Sequence, residues 1–202
     1  MKPIPTEFST IREAAQSLAL IILGSGHWWL TKRNSMFSHG ATFVALGEDV
    51  PLNEEMPISE MSMFITEFEQ WNVAYKVVWR RAKSPQGKAS FKRVALVRLF
   101  YLAGYLWIAT GASNSQVSRR FTRELEEVIY LSKILMELPG ESVVDTSFSF
   151  DTRIVLPLSI VGFTYRHRAC RRRVIDLFSK MPRREGLWDT LMSGKVIAWV
   201  AQ

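Results

Sequence analysis

An all-α fold is what this sequence predicts, on three observations. Apolar residues recur at helical intervals through most of the chain, helix-breaking turns separate those stretches, and no convincing strand hairpin or internal repeat interrupts them. With 202 residues, 48% of them hydrophobic, the chain can bury roughly 70% of the surface its unfolded form exposes. Residues 1–202 are therefore expected to form a single compact domain of about six to eight helices around a central apolar helix at about 91–110.

Thr10 and Glu13 have the spacing of a capping box, and Ile11, Ala15, Leu18 and Ile22 follow at helical intervals. This predicts a first helix to about Leu23, stopped by Gly24, Ser25 and Gly26. The segment from His27 to Pro57, with Gly40, Gly47, Pro51 and Pro57, is expected to hold one short helix around Phe37 to Leu46 and otherwise loop. From Ser59 the spacing becomes regular. Phe64, Phe68, Trp71, Tyr75, Val78 and Ala82 recur in alternating steps of four and three, the signature of a long amphipathic helix.

Ser84 to Gly87 ends that helix, and Phe91 to Thr110 is apolar on every face apart from Lys92, Arg93 and Arg98 near its start. A helix of that kind belongs in the middle of a bundle. After a turn at Gly111 to Ser115, the residues Phe121, Leu125, Val128, Leu135 and Leu138 form one stripe, with Glu124, Glu127 and Lys133 on the other face. Pro139 and Gly140 close it. Ile154 to Phe163 predicts a second buried helix, with Pro157 tolerable only in its first turn. Cys170, Val174, Leu177, Phe178 and Met181 make the inner face of the next, and Trp188, Met192, Val196 and Trp199 mark a last one.

The formal charge of +7 is local. Residues 153–202 hold ten Lys and Arg against Asp176, Glu185 and Asp189, while the rest of the chain balances. An electrostatic partner would meet one patch near the C-terminus, centred on Arg166 to Arg184. Arg171, Arg172 and Arg173 sweep about 200° of a helix, so they cannot face one nucleic-acid groove together. Cys170 is the only cysteine, which excludes an internal disulfide and a multi-cysteine metal cluster and fits a reducing, intracellular setting, nuclear or cytoplasmic. The longest apolar stretch, Val94 to Ala109, is interrupted by Arg98 and falls short of the ~20 residues that span a bilayer. Glu7 and Glu13 precede Leu18 to Leu23, where a secretory leader requires positive charge.

Phosphate-loop, dinucleotide, zincin and hydrolase-elbow motifs are all missing. His27, His39 and His167 are too dispersed for a metal motif, so neither metal nor cofactor is expected. Two groups carry a functional reading beside a structural one. His27 and His39 lie near Trp28 and could form a cavity wall with a titratable group, or simply pack over the bundle. Arg98, Tyr101, Tyr105 and Trp107 could line an interhelical cavity, or simply fill the core with local hydrogen bonds.

Residues 148–151 (Phe-Ser-Phe-Asp), Pro157 and Leu158 at the head of an apolar helix, Tyr165 to Arg173 with its arginine pair, residues 182–189 (Pro-Arg-Arg-Glu-Gly-Leu-Trp-Asp) and the closing Trp199 form one block. It resembles the C-terminal end of the regulatory region of fungal zinc-cluster transcription factors. The order of the helices extends the resemblance from about Phe8 onward, most weakly between Gly24 and Ser59. The resemblance implies an all-helical regulatory domain that senses metabolites, mediates activation or holds interdomain contacts. Regulators of that family carry six cysteines that bind two zinc ions and place a short helix on DNA. This sequence has one cysteine and begins in what corresponds to the middle of the regulatory region, so it is not expected to bind DNA sequence-specifically.

The family's stretch before its arginine pair reads Cys-Arg-Asp-Pro, and Tyr165, Arg166, His167 and Arg168 stand there here. A helix N-cap is lost and positive charge is added at a positive dipole end, unless a carboxylate or an anion answers it. In residues 182–189, Asp189 can cap the final helix and Trp188 can plug the core. The leading expectation is a transcription-factor-like module that binds an apolar small molecule or a regulatory protein partner. The alternative is an enzyme of fungal secondary metabolism that cyclises or isomerises an apolar polyketide or terpenoid between the helices. For either, His27, Trp28, His39, Arg98, Tyr101, Tyr105, Trp107 and Asp151 are the candidate ligand-binding residues. An enclosed cavity of about 300 Å³ or more between the central helix and the His27 to His39 segment, with converging polar groups, would favour the enzyme, a solid core there would sink it, and a flat exposed apolar patch would favour a protein partner.

Overall fold

Seven α-helices, one 3-10 turn and one two-stranded ladder lie in the described part of this computed structural model, which covers residues 3–38, 58–111, 120–137, 154–164, 168–180, 182, 184, 185 and 188–200. Helix α1 (Ile11–Ser38) is opened by the predicted box: the Glu13 N–H donates to Thr10 Oγ1 at 3.2 Å, and the Glu13 carboxylate accepts the N–H of Ser9 at 2.9 Å. The helix does not stop at Leu23. A mid-helix glycine costs about 1 kcal/mol relative to alanine, and tertiary contact outweighs two of them here. Ser25 is buried, the Trp28 indole donates to the Glu60 carboxylate, and Trp29 meets Trp107 edge-on at 5.5 Å. The short helix expected around Phe37 to Leu46 falls almost wholly outside the described residues.

Helix α2 (Ile58–Lys83), a 3-10 turn (Pro85–Gly87) and α3 (Lys88–Gly111) form an antiparallel hairpin. The turn is tight because residue 87 is glycine: a Cβ there would stand 2.1 Å from the carbonyl oxygen of Arg81. As its all-round apolarity requires, α3 is central. It packs against α1, α2, α4 (Thr122–Glu137) and α5 (Val155–Thr164). Trp107 departs from that expectation, being 40% exposed.

A second layer joins α4, α5, α6 (Arg168–Lys180) and α7 (Thr190–Val200). Pro157 sits in the first turn of α5, and a residue distant in sequence caps that helix. The buried Glu185 carboxylate accepts the N–H groups of Ile154 at 2.8 Å and Val155 at 2.9 Å. Glu185 belongs to a two-residue strand, β1 (Arg184–Glu185), paired antiparallel with β2 (Trp188–Asp189), a small ladder the sequence reading did not anticipate. Asp189 does cap α7, accepting the Met192 N–H at 2.8 Å.

The stripe Met192, Val196 and Trp199 does not turn inward. Ile197, Ser193 and Gly194 are buried instead, with Ile197 packed closely onto Gly162 of α5. A Cβ at Gly162 would lie 2.3 Å from Ile197 Cδ1, and one at Gly194 would lie 3.7 Å from Phe178 Cβ. Position 162 has no room for a side chain because Ile197 already fills the seam, whereas the contact at Gly194 is an ordinary one. The side chain of Trp188 lies outside the described residues.

Candidate functional site

Four rings stack in one column across the α2–α3 seam. Trp71 lies 4.4 Å from Tyr75 on one side and 5.2 Å from Tyr101 on the other, and Tyr105 follows Tyr101 at 5.8 Å, with every pair within 20° of parallel. Phe68 presents an edge to Tyr101 and Tyr105, and Phe121 of the segment before α4 does the same to Tyr105 at 5.7 Å. The geometry follows from helical spacing: Trp71 and Tyr75, like Tyr101 and Tyr105, are i, i+4 pairs on facing helices. The buried Tyr75 and Trp71 each satisfy their polar atom on backbone. Tyr75 donates to Val94 O at 2.7 Å, and the Trp71 indole N–H donates to Ala14 O at 2.9 Å.

Arg98 closes the side of the column. Its guanidinium stands 4.8 Å from the Tyr101 ring centroid, grips Glu127 of α4 through two hydrogen bonds of 2.9 Å, and donates to Asn72 Oδ1. A bidentate pair with the cation over a ring face uses most of what arginine offers. Burial raises the pKa of Tyr75 and Tyr101, with Arg98 opposing it in part. Burial also raises Tyr105, helped by Glu69 and Glu124 and by a hydrogen bond to Glu69. All three phenols stay neutral near pH 7, and the Tyr75 hydroxyl donates to Val94 O.

Of the eight candidate residues, Arg98, Tyr101 and Tyr105 therefore come together as packed structure. Trp28 packs instead on Phe64 and donates to Glu60, and Trp107 meets Trp29. His27 is exposed on α1. His39 and Asp151 lie outside the described residues. Sequence reasoning missed Glu127, Asn72, Glu69 and Glu60, although one signal pointed to the first. An arginine in an otherwise apolar helix needs a carboxylate on a neighbour, and the polar face of α4 supplies it.

An open cleft of about 370 Å³ lies elsewhere, between the N-terminal segment and the α2–α3 turn. Ile11, Val78, Ala82 and Val94 give it apolar surface, and Arg81 and Gln86 are among its polar groups. Ile11 and Trp28 are seventeen residues apart on α1, so this cleft and the Trp28 cluster are separated by about 25 Å.

At α6 the residues where an N-cap would stand, 165–167, lie outside the described residues, and a carboxylate of another helix meets side chains of its first two turns. Glu126 of α4 receives the Cys170 Sγ–H at 3.0 Å and pairs with Arg173 at 2.6 Å. Arg171 turns the other way, donating to Gly162 O of α5 at 3.2 Å, and Arg172 is exposed. The three arginines thus diverge. Among the described residues no helix is long and apolar enough to cross a membrane, and no group of three or more His, Cys, Asp or Glu could hold a metal ion. No protein family, curated protein or solved structure matches this chain.

Proposed function

We propose that this chain is a non-catalytic helical binding module, akin to the regulatory region of fungal zinc-cluster transcription factors, that recognises a partner protein through its surface. One observation carries the reading: large apolar side chains are exposed on helices whose opposite faces already form the core. Leu20, Leu23 and Leu30 of α1, and Leu191, Met192 and Trp199 of α7, are each at least half exposed. Isolated exposed apolar residues are ordinary, whereas runs of them on one helix face mark interaction surfaces. The aromatic column supports the same reading from inside. Its guanidinium is held by Asn72 and Glu127, the Tyr75 phenol by Val94 O and the Tyr105 phenol by Glu69, so the seam offers packing where a catalyst needs open space and an acid or base.

A second reading, capture of an apolar small molecule, draws on the cleft beside Val78 and Val94. Thermal melts of the purified protein against apolar polyketides and terpenoids, followed by mass analysis of the incubated compounds, separate the readings. The protein-partner reading predicts no stabilisation and no conversion. A ligand at 100-fold its Kd would add about 2.7 kcal/mol and favour the small-molecule reading, and conversion of a compound would overturn the non-catalytic assignment.

A further inference from the structure

The outer face of α7 has an unusual composition for a surface. Leu191, Lys195, Trp199, Met192 and Val196 sweep about 140° of the helix over two turns, taking 100° and 1.5 Å per residue. Four of the five are large and apolar, with exposures of 50% for Leu191, 64% for Met192, 38% for Val196 and 72% for Trp199. The side of α7 facing α5 and α6 is already filled through Ile197 and Gly194. This second apolar face therefore adds nothing to the folded core.

Charge narrows what can cover it. Lys195 is the only ionisable residue of the face, and α6, packed beside α7, exposes Arg168, Arg172 and Lys180. The carboxylates that could neutralise this end of the molecule are largely engaged. Glu185 caps α5 from a buried position, Asp189 caps α7, and Glu126 pairs with Arg173, leaving Asp176 exposed on α6. Ten basic residues against three acidic ones in residues 153–202 give the region a net positive field.

Resting on the binding-module reading above, we infer that the outer face of α7 docks an acidic amphipathic helix of a partner protein. The partner's apolar stripe lies along Leu191, Met192, Val196 and Trp199, and its flanking Asp and Glu side chains face Lys195 and the exposed basic residues of α6. Helix-in-groove recognition of this kind uses anchors at i, i+3, i+4 and i+7. A two-turn footprint makes a small interface, which places it among transient contacts. Trp199, the most exposed of the four, is the expected anchor, since tryptophan dominates binding hot spots.

The test uses the full chain and a labelled synthetic amphipathic helix of about 20 residues, Leu on one face and Glu on the other, beside the same peptide with Lys for every Glu. Anisotropy titration at low and high salt is expected to show the Glu peptide binding at least about tenfold more tightly than the Lys peptide, with the difference shrinking as salt rises. M192E/W199E is expected to abolish binding and K195E to weaken it at low salt. V73E, at an exposed position of α2, should leave it unchanged, and far-UV circular dichroism confirms that the variants fold. Equal affinity for both peptides, or none for either, overturns the inference. So does either of two results obtained without Glu-peptide binding: adsorption to phosphatidylserine-containing vesicles that M192E/W199E removes, or self-association that the same variant disrupts. Metabolite conversion by a chain that still binds the Glu peptide would overturn the non-catalytic reading and leave this one standing.

Discussion

Glu185→Ala is the substitution whose effect can be worked most directly from the geometry. The side chain is buried, and one carboxylate oxygen accepts two backbone N–H groups at the start of α5, at 2.8 and 2.9 Å. A hydrogen bond to a charged group contributes about 1.5–3 kcal/mol, and an orphaned buried donor costs about 1–3 kcal/mol. Because the two bonds share one oxygen, their removal is expected to cost about 3–5 kcal/mol, below the sum of two independent maxima. That is a large share of the about 5–15 kcal/mol that holds a typical domain together. At about 2–4 °C per kcal/mol for a chain of this length, Tm should fall by about 6–20 °C. Glu185→Gln keeps an acceptor oxygen but loses the charge that complements the helix dipole, so it should lose only about 1–2 kcal/mol. Urea titration and thermal melts followed by far-UV circular dichroism read both variants. An alanine variant that loses less than about 1 kcal/mol, or a glutamine variant as damaged as the alanine one, would refute the capping argument.

Arg98→Ala should cost about 2–4 kcal/mol by leaving the mostly buried Glu127 carboxylate without its partner, and adding Glu127→Gln should restore part of the loss, giving a coupling energy of about 1 kcal/mol or more in a double-mutant cycle. The buried tyrosines make the fold alkali-sensitive. The folded-state pKa values of Tyr75, Tyr101 and Tyr105 are raised, so their contribution is intact below the ordinary phenol value of about 10 and is lost as pH climbs above it. Tyrosinate absorbance and loss of helix should then rise together. Absorbance appearing with the helices intact would show these phenols to be accessible. Gly162→Ala gains up to about 1 kcal/mol of helix propensity but drives a methyl into Ile197, for a net loss of about 1–2 kcal/mol that Gly162→Ala/Ile197→Val recovers in part.

Periodicity made the helices legible wherever a helix is amphipathic or wholly buried. The steps from Phe64 to Ala82 mark α2, and the all-round apolarity of Phe91 to Thr110 marks the central α3. It failed where tertiary contact overrides local preference. Gly24 and Gly26 signal a stop, yet α1 continues because Trp28 and Trp29 find partners on α2 and α3 that a local pattern cannot display. On α7 the stripe Met192, Val196 and Trp199 points outward while Ile197 turns in, fitted onto Gly162 of α5. The candidate site was legible as a set of residue types and not as an arrangement. Tyr101, Tyr105 and Arg98 were identifiable as groups needing partners, but Glu69, Asn72 and Glu127, the partners of Tyr105 and Arg98, lie on other helices, and only the three-dimensional register brings them together.

The ring column also has an optical consequence. Aromatic chromophores fixed 4.4 to 5.8 Å apart and within 20° of parallel couple their electronic transitions, and coupling in a chiral setting yields intense near-ultraviolet dichroism. That signal belongs to the α2–α3 seam and vanishes when specific packing loosens, even if helical content survives, as in molten globules. The protein thus carries a label-free reporter at the centre of its fold, in which a drop in near-ultraviolet ellipticity ahead of the far-ultraviolet signal marks the moment when the four rings part.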